Sequence, residues 1–169
     1  MATATAQTTT GCVMPVAAAL YDWLMFLHIL AAMVWVGGLL AVGVLATRVV
    51  RSGDRDAITS FVGNLRVIGP LVFAPAMVAV VGLGIWLVLD SDAWTFGQTW
   101  VWLALTVFAA AFLVGAVFQS RAAIGAGRAA AAGDHIEAAR QLRRWTWGMG
   151  LILALLVVIT WDMVIKPGL

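Results

Sequence analysis

The 169-residue chain is 63% hydrophobic and only 11% charged, against about 45–50% and about 25% in soluble domains. That balance excludes a water-soluble globular protein, and one compact domain is expected at this length because lipid covers the outer faces of a bilayer-embedded bundle. The formal net charge of +2 does not signal a nucleic-acid partner, because the basic residues fall only in short segments between apolar runs.

Residues 1–10 are polar, small and uncharged, without the basic start of a cleaved signal peptide, so residues 1–12 read as a retained, disordered tail outside the membrane. Cys12 is the single cysteine and has no intrachain partner, and no lipid-anchor or redox role is read for it. Residues 13–169 then form one transmembrane domain. The apolar stretch 13–20 leads through Tyr21 and Asp22 into a longer run and extends the first helix.

Four apolar runs follow at about residues 23–47, 67–89, 99–118 and 145–165, each near the ~20 residues that cross ~30 Å of hydrocarbon. None carries the polar stripe of a surface helix in water. The predicted fold is all-α: a polytopic, four-transmembrane-helix bundle. Nine of the ten basic residues lie in alternate connections: Arg48, Arg51, Arg55 and Arg66, then Arg121, Arg128, Arg140, Arg143 and Arg144. The positive-inside bias makes both connections cytoplasmic and puts both termini and residues 90–98 outside. Trp23, Trp86, Trp94, Trp100, Trp102 and Trp161 fall near outer ends, Trp145 and Trp147 near the inner one, as indoles at a headgroup interface do. Only Trp35 is mid-span. One lysine among ten basic residues, with abundant Ala, Gly, Val and Arg, fits a GC-rich bacterial genome and a bacterial cytoplasmic (inner) membrane.

In the second span Pro70 and Pro75 remove backbone donors and should bend the helix; Gly82 and Gly84 there, like Gly37, Gly38 and Gly43 in the first span, permit close helix approach. Residues 121–144 are Ala-rich and then amphipathic. Asp134 and Glu137 have the spacing of a capping box, so a helix from residue 135 should run into the fourth span, its arginine face meeting anionic headgroups or water.

His28 is the most informative residue, about 8 Å inside the outer end of the first span at 1.5 Å per residue. A buried ionisable group there is costly and needs a partner. Met25, Ala32, Trp35, Leu39 and then Gly43 share its helical face. Two readings stand: a ligand to haem iron or copper, with Met25 and Trp35 beside it, or a hydrogen bond to a neighbouring helix or water. His135 is on the cytoplasmic side, so two histidines of one subunit do not share a haem. A second ligand would come from Met25, Met33, Met77, Met149 or Met163, residues that equally serve as core filler. Asp22, Asp90, Asp92 and Asp162 collect on the outer side. Asp162 precedes Lys166 by four residues and suits a helical ion pair, or joins His28 in a polar cluster for metal binding, cation passage or proton exchange. No phosphate loop, paired-cysteine metal site or nucleophile elbow is present.

The first span, LHILAAMVWVGGLL, resembles the opening His-x6-Trp-x-Gly-Gly helix of bacterial membrane proteins around the copper-resistance D fold and a membrane-type protoporphyrinogen oxidase. Together with GDHIEAARQLRRW and the terminal DMVIKPGL, it is most similar to the uncharacterised family called domain of unknown function 2269. The resemblance implies a four-helix bundle and, from the oxidase branch, a haem held partly by the first-span histidine, here His28. The spans lack the intramembrane lysine and second histidine that porphyrinogen oxidation would call for, and no soluble copper-binding domain accompanies them. Three functions are therefore expected to compete. They are a b-type haem protein in electron transfer or cofactor metabolism, a copper or other cation transport component, and a non-enzymatic accessory subunit packing on partner membrane subunits or on its own copies.

Overall fold

The computed structural model describes residues 16–168; the predicted tail with Cys12, and residues 13–15, lie outside the described residues. Four helices are long and apolar enough to cross a membrane. They are α1 (Val16–Ser52), α2 (Arg55–Leu89), α3 (Thr99–Ala131) and α4 (His135–Ile165), and no strand occurs among the described residues. Each contains one of the four apolar runs.

The helices are 31 to 37 residues long, well beyond the ~20 that span hydrocarbon, and most of the surplus lies at the arginine-rich end. The two arginine-rich connections are thus mostly helix. Residues 48–66 are interrupted only at Gly53, whose φ of 67° turns the chain, and at Asp54, which caps α2 by accepting the Asp56 N–H at 2.9 Å. Ile58, Phe61, Val62 and Leu65 follow at helical spacing and are all buried, an amphipathic stripe hidden among arginines and polar residues. The second connection turns at Gly133 (φ 75°), and Asp134 accepts the Glu137 N–H at 3.0 Å. Only half of the expected capping box forms, because the Glu137 carboxylate goes instead to Arg140 at 3.0 Å and Gln141 at 2.6 Å.

Two π-helical segments interrupt the regular hydrogen-bond ladder. Gly69–Phe73 is the form taken by the irregularity expected at Pro70 and Pro75, since each proline lacks an N–H for the α register. Val114–Gln119 in α3 has no proline; there the Ser120 hydroxyl donates to the Gly115 carbonyl at 3.2 Å.

α1 packs between α2 and α4, and α4 between α1 and α3. α2 meets α3 only at the arginine-rich end, Arg55–Ile68 against Ser120–Ala131, whereas Ala74–Leu89 and Thr99–Leu113 stay apart. The Arg66 guanidinium lies where a side chain on Gly127 would be, which brings those two helices together. The core runs the length of α4 through Leu142, Trp145, Met149, Ile152, Leu156 and Ile159, joined by Trp35, Leu39, Phe61 and Leu65. Trp145 is not an interfacial indole as expected: it is 4% exposed and meets Phe61 edge-on, ring centroids 6.3 Å apart. Trp147, 77% exposed, alone keeps the interfacial place at that end.

Leu142 is fully buried at the arginine-rich end. Leu142→Ala is expected to lower the unfolding free energy by about 2–5 kcal/mol, measured as a fall in melting temperature of the purified protein.

Candidate functional site

α1 and α2 pack side by side in the half away from the arginines, and Gly84 on α2 has no side chain where His28 on α1 needs room. A Cβ there would sit 3.2 Å from His28 Cε1 and 3.5 Å from Nδ1. In that seat the imidazole reaches the α2 backbone, with His28 Nδ1 2.9 Å from the Val80 carbonyl oxygen. A carbonyl only accepts, so Nδ1 is the donor and the neutral ring keeps its free lone pair on Nε2. Nε2 bonds to no described residue and is not among the sealed, unpartnered polar atoms. The histidine is therefore both an interhelical hydrogen bond and a ring with one nitrogen open for coordination.

The neighbours expected on its face divide. Trp35 is buried, its ring 5.7 Å from that of Phe108 on α3, and Leu39 is buried with it. Met25 is exposed on the outside of the bundle, as are Met33 and Met163. Met149 is core and contacts Gly43, fifteen positions or about 22 Å along α1 from His28, which removes it as a ligand partner. Met77 packs at the edge of the core. Of the five glycines expected at helix contacts, Gly38 lies against Phe73, Gly43 against Met149 and Gly84 against His28, while Gly37 and Gly82 face open space.

Asp162 lies in the buried stripe of α4, fully inaccessible, and neither carboxylate oxygen has a partner among the described residues. The expected ion pair with Lys166 does not form. Lys166 is the C-cap of α4, in left-handed conformation with φ 47° and ψ 63°, so its side chain leaves the helical row that a four-residue spacing presumes. The ammonium lies instead 3.8 Å from the Trp94 ring centroid and 5.6 Å from that of Trp100. The Trp94 indole N–H donates to the Tyr21 hydroxyl at 3.3 Å, and Trp100 donates to Gln98 Oε1 at 3.1 Å. Residues 90–98 thus bind the arginine-poor ends of α1, α3 and α4 into a cap, with Asp162 one turn before Lys166. No hydrogen bond joins His28 to Asp162, and no three His, Cys, Asp or Glu side chains converge as a metal site among the described residues.

One polar residue escaped the sequence reading. Gln119, at the end of the third apolar run, is 7% exposed and its Oε1 has no partner; it lies against Gly148 of α4. A glutamine bordering an arginine connection carries no signal of burial unless the helix is known to continue past it.

The sequence profile of the family described as "Predicted integral membrane protein (DUF2269)" matches residues 22–167, a stretch that holds His28, Gly84 and Asp162. The chain belongs to that family. No curated protein and no solved structure matches it. The family description places this member in a lipid bilayer and assigns it no activity.

Gly84→Val is expected to push His28 off Val80 and lower the melting temperature, whereas Gly82→Val, facing open space, leaves it nearly unchanged; thermal unfolding in detergent compares the two. An interhelical hydrogen bond in a membrane contributes about 0.6–2 kcal/mol, and the steric conflict adds to that loss. Asp162→Asn is expected to raise the melting temperature in the same assay, because an unpartnered buried carboxylate costs more than an amide.

Proposed function

We propose that this protein holds b-type haem through Nε2 of His28, within the outer half of a bacterial cytoplasmic membrane, and serves electron transfer or cofactor metabolism. The observation that carries this reading is the Nδ1–H bond from His28 to the Val80 carbonyl at 2.9 Å. Histidines that bind metals commonly donate their other ring N–H to a carbonyl or carboxylate, which selects the tautomer and orients the ring. The fit is partial in an informative way. One chain supplies one imidazole in its spans, so a site with two imidazoles draws on a second copy of the chain or a partner subunit. When bound, haem supplies a one-electron couple; His28 orients it, and Gly84 leaves room for the ring that does so. The likeness of the first span to the copper-resistance D and membrane protoporphyrinogen oxidase group supports the same assignment.

A second reading, passage of copper or another cation, is favoured by Asp162 alone: a fully buried carboxylate without a partner is a place where a cation or proton is stabilised. On that reading, uptake into proteoliposomes is lost in Asp162→Asn while His28→Ala retains it.

Purified protein from haem-replete cells is expected to show a Soret band that His28→Ala abolishes and Gly84→Val weakens, with size-exclusion elution unchanged. A wild-type protein without the band, or an unaltered band in His28→Ala, rules the haem assignment out.

A further inference from the structure

The arginine-rich end holds nine arginines against Asp54, Asp56, Asp134 and Glu137, and three of them line one concavity there. It lies between the start of α2 and the start of α4 and has a volume of about 490 Å³. Arg55, Arg140, Arg143 and His135 line it together with Ile58, Ile136, Ala139 and Gly53. The nearby acids are engaged elsewhere: Asp54 and Asp134 accept from backbone N–H groups, and Glu137 is shared between Arg140 and Gln141. Asp56, exposed in the first turn of α2, makes no ion pair. Arg55 and Arg143 pair with no carboxylate among the described residues, and His135 Nδ1 is sealed from solvent without a hydrogen-bond partner.

Unpaired guanidiniums beside an imidazole in a concave site suit an anion with several oxygens, because the planar fork of arginine matches phosphate geometry. The level of the groove is set by Trp147, the exposed indole four residues or about 6 Å from Arg143 along α4. The groove therefore starts at headgroup depth and opens toward water, and Ile136, 78% exposed on its rim, adds an aliphatic surface beside the charges. We infer that this groove is a phosphate-binding site, recognising a phosphate carried by an anionic lipid headgroup or free in the aqueous phase. The site stands apart from His28 and does not rest on the haem assignment.

The test compares melting temperatures of the full-length protein in zwitterionic detergent with short-chain phosphatidylglycerol, short-chain phosphatidylcholine, inorganic phosphate, or chloride at matched ionic strength. Phosphatidylglycerol is expected to raise the melting temperature above phosphatidylcholine; a rise with inorganic phosphate over chloride identifies a free anion as sufficient, and no such rise identifies the lipid. In either case the rise is lost in the Arg55→Gln, Arg143→Gln double variant. It persists in Arg48→Gln, Arg128→Gln, which removes the same charge from the same end outside the groove. Equal loss in both double variants, or no rise in the wild type with either phosphate probe, overturns the inference.

Discussion

Hydrocarbon offers no partner to a peptide N–H or C=O, so a chain crossing it satisfies its backbone internally, and four membrane-length helices are the consequence here. The same solvent removes the usual reason for helices to associate, since lipid tails are as apolar as leucine. Contact in the membrane is therefore won by shape and by single polar bonds. The seats at Gly38, Gly43 and Gly84 are the shape, and His28 on the Val80 carbonyl is the bond. Where the helices pass out of hydrocarbon, water restores the ordinary drive to bury apolar side chains. A second cluster of buried apolar residues accordingly forms at the arginine-rich end, from Ile58, Val62, Ala126 and Ala138.

The polar features of the two ends differ in kind. At the arginine-poor end a carboxyl, that of Asp162, is enclosed beneath a cap in which the one lysine lies against indole faces. At the other end the cations are mostly exposed and outnumber the acids, with a concavity among them. At one end a buried carboxyl is left without a partner, and at the other several guanidiniums are left without a carboxylate.

The spans were legible because their signal is long and repeated: twenty apolar residues in a row have few alternatives. The helix leading into the fourth span was legible from Asp134 and Glu137, but the one leading into the second was not, because Ile58, Phe61, Val62 and Leu65 are interleaved with arginines and polar residues whose connection to a turn at Gly53 is as plausible in a loop. Trp145 was misplaced for a related reason: an indole near a predicted boundary is read as interfacial, and only the continuing helix with Phe61 opposite shows that it is core. The importance of His28 could be read from its charge cost, but its partner could not, since a backbone carbonyl leaves no mark in sequence. The Asp162 and Lys166 spacing pointed to a pair that depends on both residues being helical, and Lys166 is not.

α2 and α3 touch near the arginines and part toward the opposite end. The wall between them at that end is completed by whatever surrounds the protein, and in a bilayer that is acyl chain. Stiffness is therefore uneven across the membrane. Changing helix spacing at one end means disrupting interlocked side chains, whereas at the other it means displacing a fluid.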